Sequence, residues 1–455
     1  MAFEIATLVL GILLMVLSFK KLQQTRVYLI FTVALVAVFG ISIYKTSFLW
    51  YDAPMFVLVV LAVMGLVKEP EKPRLRMVVL AACVVIYGGC LAVFPRQALP
   101  EATGPENVGT TVFTVTDENR SEDYNKDVAH RTIKLQAWYP LDSTENLKKA
   151  PWLYDGIDVA RGLARDSSLP GFLLDQMAFI PSNSYEGGAL PKGKNQYPVV
   201  ILSHGWRSAR NLYQDTAENL ASRGFVVFAI DHTYGSVATD LEKQGLRKIN
   251  YDALPKLDDP TFWDKANKLV STYAGDVKTS LSYIEELNKN SDLFNNRLDL
   301  DNVGLLGHST GGGGDVDFAL THPKIKAVVG MDAWVEPISK KDLEKGLDVP
   351  ALFLRSGQWE DGSNNKNLAA LEKYSEVKPL YYQVKDTTHY DFAMVYMYTP
   401  LIKTLGFSGK IPKDEMTKLE RRTVTDFFEE TLKEGKTKDF QIEENKYLKA
   451  VDINK

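Results

Sequence analysis

The sequence predicts an α/β fold, a mostly parallel sheet covered by helices, preceded by four membrane-spanning helices. Beyond residue 111, short apolar runs alternate with stretches of helical spacing, the pattern of a helix-covered parallel sheet. Residues 307–311 read Gly-His-Ser-Thr-Gly, directly after one apolar run and directly before a helical pattern. Four apolar stretches fill the first 96 residues.

Those stretches are 3–19, 27–44, 48–67 and 77–94. At about 1.5 Å of rise per residue, each reaches across a hydrocarbon core of about 30 Å with modest thinning. Asp52 and Pro54 interrupt the first turn of the third, and Trp50 and Tyr51 beside them suit an interfacial end. Lys20, Lys21 and Arg26 lie between the first two stretches, and Lys68, Lys72, Arg74 and Arg76 between the last two. The loop between them holds only Lys45. Basic loops stay cytoplasmic, so the expectation is a multi-pass protein of the cell membrane with its C-terminal part extracytoplasmic. A cleaved signal peptide would need a basic start and an Ala-x-Ala-like site, and the first stretch lacks both. Residues 97–110, with Pro100, Pro105 and two glycines, read as a linker between a membrane region, 1–96, and a domain over 111–455.

Within that domain, 111–115 and 132–138 suit an opening hairpin, and 197–202 is a short apolar run ending in Ser-His-Gly. Helical spacing follows over 209–222 through Leu212, Ala217 and Leu220, and then a buried strand over 225–230. Leu269, Tyr273, Val277, Leu281 and Ile284 mark one long amphipathic helix over 263–289. Further strands fall at 327–331, 351–355 and 380–384, and a last helix follows Asp414. Two stretches stand outside the alternation. Residues 150–190, with Trp152, Leu153, Phe172, Leu174, Met177 and Phe179, suit either a helix packed on the sheet or a cap walling the substrate. Residues 240–262 are polar and suit a surface excursion.

Composition narrows the chemistry. Nine of the 53 Lys/Arg and four of the 57 Asp/Glu fall in the first 96 residues, which leaves the remainder acidic by nine charges. That balance disfavours a nucleic-acid partner. Both cysteines, Cys83 and Cys90, lie in the apolar region, so thiolate catalysis and Cys-ligated zinc are closed to the large domain. Neither a cofactor nor a metal is expected.

In a strand–turn–helix context the serine of Gly-x-Ser-x-Gly is strained and its hydroxyl exposed, so Ser309 is the candidate nucleophile. It needs a base, and in this architecture the order is serine, acid, histidine. Of six histidines, His130, His204 and His232 precede it, His308 adjoins it, and His322 closes the following helix in Thr-His-Pro. His389, beyond the strand ending near Val384, is left as the base. Two acids fit the pattern: Asp332 after the next strand, and Asp361 after the one beyond. The oxyanion needs fixed N–H donors, expected from Thr310 and from Trp206 in the Ser203-His204-Gly205-Trp206 loop. His204, Gly205 and Trp334 are expected around the substrate, with Thr310 and Trp206 as further candidates for the acyl pocket.

These motifs resemble those of the platelet-activating-factor acetylhydrolases, within the α/β-hydrolase superfamily. The resemblance runs through Leu-Ser-His-Gly at 202–205, Arg210 to Tyr213, Ala-Ser-Arg-Gly-Phe-Val-Val at 221–227 and Asp231-His232 with Ser236 and Thr239. Gly-His-Ser at 307–309, Met-Asp-Ala-Trp at 331–334 and the His389 segment complete it. It implies an α/β-hydrolase fold, favours Asp332 over Asp361, and implies metal-free hydrolysis of short or oxidised acyl groups from phospholipids or related esters. The four apolar stretches, Thr310 and the run Gly311–Gly314 depart from the family pattern. The expected function is a membrane-anchored serine hydrolase acting on lipid or small-molecule esters. A general carboxylesterase or peptidase of the same fold, and an inactive receptor, are the other readings.

Overall fold

A computed structural model of the chain describes every residue except Met1, Gln24, Lys194, Glu360, Asp361, Gln441 and Lys455. Four long helices open it: α1 (Ala2–Phe19), α2 (Arg26–Thr46), α3 (Trp50–Val67) and α4 (Pro73–Val93). All four are long and apolar enough to cross a membrane. Their packing is inside out. The residues α1 buries are Glu4, Thr7, Gly11, Leu14 and Ser18, spaced by three and four, while Ile5, Val9, Ile12 and Val16 face outward. A stripe of small and polar residues between helices with apolar residues outside is what lipid, rather than water, rewards. The third helix is continuous despite Asp52 and Pro54. Its first turn is a 3₁₀ turn, the Asp52 carboxylate accepts the Leu49 N–H at 2.9 Å, and Pro54 stands where no intrahelical donor is needed. Polar groups collect at the end of the bundle nearest the large domain, where Arg96 meets Glu4 at 2.6 Å and the Tyr51 hydroxyl donates to Glu4 at 3.3 Å.

The large domain is built on one eleven-stranded sheet. In chain order its first strands are β1 (Asn107–Ser121), β2 (His130–Leu141), β3 (Lys149–Pro151), β4 (Pro181–Glu186), β5 (Tyr197–Ser203) and β6 (Val226–Asp231). A separate hairpin of β7 (Ala238–Asp240) and β8 (Leu246–Lys248) follows. The sheet resumes with β9 (Leu298–His308), β10 (Ile325–Met331), β11 (Ala351–Ser356), β12 (Leu380–Val384) and β13 (Leu448–Ala450). Sheet order is β13-β12-β11-β10-β9-β5-β6-β2-β1-β4-β3, with the six strands from β12 to β6 parallel. Helices α5 (Ile157–Asp166), α6 (Gln214–Ser222), α7 (Phe262–Asn290), α8 (Thr310–Ala319), α9 (Lys340–Leu343), α10 (Ser363–Tyr374) and α11 (Lys413–Phe428) cover it. Side chains alternate between two cores. Val200 and Leu202 of β5 join Ala217, Leu220 and Phe427 on one face, while Val199 and Ile201 join Val277, Leu281 and Val316 on the other.

The chain reverses its direction across the sheet at β5 and β9. From β5 it passes through α6 to β6, and from β9 through α8 to β10 on the opposite side. A crevice opens beyond the carboxyl ends of two such strands, and ligands of open α/β sheets bind there. Both chemically suggestive segments, Ser203-His204-Gly205 after β5 and Ser309 after β9, leave the sheet at this point.

One expectation needs correction, and two others gain detail. The opening hairpin is far longer than 111–115 and 132–138, because β1 and β2 pair from Asn107–Leu141 onward. Residues 97–106 form no helix or strand and are held against the domain: Asn219 accepts from Thr103, and Arg421 donates to the carbonyls of Pro100 and Glu101. The 150–190 segment supplies β4, paired between β1 and β3, as well as α5, and its Trp152, Leu153, Leu174 and Met177 are buried in the core. None of its residues lines the cavity at Ser309.

Helix α8 explains the glycine run. A Cβ at Gly311 would strike the carbonyl oxygen of Ser203, and one at Gly313 that of Trp334. At Gly312 it would lie 2.7 Å from Cβ of Ala333, and at Gly314 2.7 Å from Cβ of Tyr273. The helix is therefore wedged between two strand ends and α7 at distances no side chain permits. Below it Asp315 is fully buried, with Ser203 Oγ donating to its Oδ1 at 2.7 Å, and burial pushes its carboxyl up to about 8. An unfolded Asp ionises near 3.9. Between about pH 4 and pH 8 the folded protein thus holds a proton the unfolded chain has lost, so Asp315 lowers stability progressively as pH rises and no further above 8. The Tm of Asp315→Asn relative to the parent is expected to climb by a few degrees from pH 4 to pH 8. A difference that stays flat across that window would show Asp315 to be charged in the folded state.

Candidate active site

Ser309 occupies φ +54°, ψ −123° between β9 and α8. This is left-handed backbone that costs a residue with a side chain about 1–3 kcal/mol. Gly307 allows the turn, since a Cβ there would lie 2.6 Å from Cα of Gly312. Two backbone bonds hold the Ser309 carbonyl, from the N–H groups of Gly313 at 3.0 Å and Trp334 at 2.9 Å, and the Ser309 N–H donates to Met331 at 3.0 Å. The serine backbone is thus locked to the end of β10.

That end carries Asp332, itself at φ +43° and almost fully buried. Its Oδ1 accepts the Ser356 N–H at 2.6 Å, and its Oδ2 lies 3.0 Å from Nδ1 of His389. With one oxygen fixed by backbone, the other sets the ring orientation and leaves Nε2 as the free nitrogen. Ser309, Asp332 and His389 line one cavity of about 360 Å³, together with Trp334, Ser356, Gln358, Trp359 and Asn364. Asp361, the other acid the pattern allowed, lies outside the described residues.

The histidine preceding Ser309 turns out to matter. His308 is buried, donates from Nε2 to the His389 carbonyl at 3.0 Å and accepts at Nδ1 from the Tyr213 hydroxyl at 2.8 Å. Burial holds its pKa well below the ordinary value, so it stays neutral and props the loop that carries His389. The two rings sit 4.4 Å apart.

On the β5 side, Gly205 lies against the serine: a Cβ there would be 3.0 Å from Cβ of Ser309. His204 was expected beside the substrate, but its ring is fully buried and points away. Its Nδ1 donates to the Gly205 carbonyl at 2.7 Å and its Nε2 accepts the His232 N–H at 3.1 Å. Burial depresses its pKa, and that of His232 to about 3, so both are neutral and the tautomer is set. Because a trans peptide points its N–H opposite to its C=O, clamping the Gly205 carbonyl aims the Trp206 N–H the other way. His232 in turn is held by Asp276 at 3.0 Å, which also takes two bonds from Arg131. Among the described residues, neither the Trp206 nor the Thr310 N–H has a hydrogen-bond partner. The Thr310 side chain is buried, and the Trp206 ring packs toward Leu269 and Tyr273, so neither side chain lines the cavity.

Sequence reasoning missed Ser356, Gln358, Trp359 and Asn364. The signal was available: Ser356, Gln358 and Trp359 end or directly follow the parallel strand β11, where sheet ligands bind. Asn364 shapes the floor, since its Oδ1 accepts the N–H groups of Val335 and Glu336.

Comparison with known proteins agrees with this architecture. A platelet-activating factor acetylhydrolase from Cavia porcellus is 21% identical over 365 residues, covering 74% of this chain and 79% of its own. Cutinase est1 from Thermobifida alba is 25% identical, covering 46% of this chain and 56% of its own. The solved ferulic acid esterase from Streptomyces cinnamoneus superposes with a TM-score of 0.63 at 19% identity, over 78% of this chain and 99% of its own, which shows the shared fold. The family model for platelet-activating factor acetylhydrolase, isoform II, matches residues 91–451, most of the chain, and the protein belongs to that family.

Proposed function

We infer that this protein is a membrane-held serine ester hydrolase that works through an acyl-enzyme on Ser309. The observation that carries the reading is the Asp332–His389 hydrogen bond, in the cavity where Ser309 stands on its left-handed turn. Ser309 Oγ attacks the ester carbonyl while His389 Nε2 takes its proton. The tetrahedral oxyanion forms against the N–H groups of Thr310 and Trp206, the second aimed by the His204 clamp. Loss of the alcohol, with the proton returned from His389, leaves the acyl-enzyme, which water then hydrolyses by the same route. Asp332 keeps its charge throughout and stabilises the imidazolium. No cofactor enters this sequence of steps.

Substrate class follows from relatives and cavity together. The similar proteins bear the names of acetylhydrolase, cutinase and esterase, which favours esters over peptides. A cavity of about 360 Å³ is at the low end of the roughly 300–1,000 Å³ usual for ligand pockets, and Trp334 and Trp359 wall it. Short or oxidised acyl groups on phospholipids fit that space best. The inside-out packing of α1–α4 supports a membrane anchor, and the basic loops at 20–26 and 68–76 favour an orientation with the large domain outside the cell.

Ser309→Ala is expected to abolish turnover of a short-chain ester, and Asp332→Asn to lower kcat about 10⁴-fold with the fold intact. Unchanged turnover in either purified variant rules out this catalytic assignment. Across acetyl, butyryl and palmitoyl groups at one glycerol position, release is expected to slow with length; faster palmitoyl release would make the protein a long-chain lipase. Protease added to intact cells is expected to remove the large domain, and full protection would reverse the orientation.

A further inference from the structure

A second cavity, of about 550 Å³, opens beside the oxyanion loop. Three cations from three separate segments line it: Arg165 from the last turn of α5, Arg207 from the loop after β5, and Lys248 from β8. The one carboxylate there, Asp166, is already engaged. Arg207 Nε lies 2.5 Å from it and the Tyr251 hydroxyl donates to it at 3.3 Å. Among the described residues, neither Arg165 nor Lys248 pairs with a carboxylate. Like charges gathered in this way repel one another unless an anion joins them. Arg207 is also strained, at φ +65°, with its N–H bonded to the Gly235 carbonyl at 3.0 Å, so its position is imposed rather than relaxed.

The cavity is joined to the nucleophile through the oxyanion loop. Gly205 touches Ser309, and Arg207, two residues further along, lines the cavity. A glycerophospholipid carries its ester carbonyl and its phosphorus only a few bonds apart, so one molecule can present both groups to the same loop. Guanidinium and ammonium groups around a partly open volume suit a phosphate group, through bidentate and point-charge contacts respectively.

We propose that this cavity binds the phosphate of a phospholipid headgroup and thereby seats the acyl ester at Ser309. The inference rests on the reading of Ser309 as an ester-hydrolysing nucleophile. The Arg207–Asp166 pair also ties α5 to the oxyanion loop, so a test through Arg207 would confuse binding with positioning. Arg165 and Lys248 are exposed and take no part in that tie.

The test uses the full chain in detergent and the double variant Arg165→Glu/Lys248→Glu. Its substrates are dibutyrylglycerophosphate and dibutyrylglycerol, which carry the same acyl groups with and without phosphate. The ratio of kcat/KM for the phosphorylated over the neutral ester is expected to fall roughly tenfold or more in the variant. An unchanged ratio overturns the proposal. Calorimetry on Ser309→Ala supplies a readout independent of turnover: dibutyrylglycerophosphate is expected to bind more tightly than dibutyrylglycerol, and the advantage to vanish when the charge reversals are added. Inorganic phosphate binding as tightly as the phosphorylated ester would assign the cavity to free phosphate and overturn the headgroup reading. Phosphate-dependent binding without hydrolysis of either ester would sustain the cavity assignment and sink the catalytic role of Ser309.

Discussion

The strained turn at Ser309 can exist only because the chain around it comes closer than side chains allow, and most of the domain's architecture serves that approach. A turn costing about 1–3 kcal/mol relaxes unless its neighbours prevent it. Here the Ser309 carbonyl is held by two N–H groups, Gly307 abuts Gly312, and α8 is pressed against the ends of β5 and β10 and against α7. Four consecutive glycines are poor helix formers, each about 1 kcal/mol worse than alanine. Their presence at 311–314 is intelligible only as the condition for that contact. The same closeness presents Gly205 to Ser309 and sets the end of β10, with Asp332, where His389 can reach it.

A second layer of order holds the loops that flank the serine. Two buried, neutral histidines act as props rather than as bases: His204 clamps the Gly205 carbonyl, and His308 supports the carbonyl of His389. Behind His204 runs a relay through His232 to Asp276 and Arg131, all buried. Losing one partner of such a buried pair costs several kcal/mol, so the relay resists rearrangement of the loop. Where the domain meets the bundle, Glu4, Tyr51 and Arg96 join α1, α3 and the end of α4, and Thr399 reaches the Val93 carbonyl at 2.6 Å. The ring of Phe172 meets that of Trp50 with centroids 5.6 Å apart. The large domain is therefore seated on the helical bundle rather than tethered by a loose linker.

Much of this was legible in the sequence, for reasons that can be named. Parallel strands buried on both faces read as unbroken apolar runs, so β5, β6, β9 and β10 stood out, and the 3.6-residue spacing of α7 was plain. Elimination among six histidines led to His389, which the structure sets 3.0 Å from Asp332, because the order of such groups along this architecture is a property of its topology. Other features were hidden. Whether His204 faces substrate or core depends on a half-turn of one side chain, which no pattern encodes. The edge strands β3 and β13, of three residues each, are too short to show periodicity, and β4 forms where it pairs with β1 and β3. The 150–190 segment was read as a choice between packing and cap, and its residues divide: Trp152 and Met177 are buried in the core, while Gly162, Arg165 and Asp166 line the second cavity.

The central claim is that an ester's acyl group passes through Ser309. Mixing the protein with a short-chain ester, quenching in acid within the first turnover and mapping peptides by mass spectrometry tests it most directly. One acyl adduct is expected on the peptide containing Ser309, accumulating before steady state and clearing as substrate is exhausted. Hydrolysis that proceeds with no adduct there, or with an adduct on another residue, would contradict it.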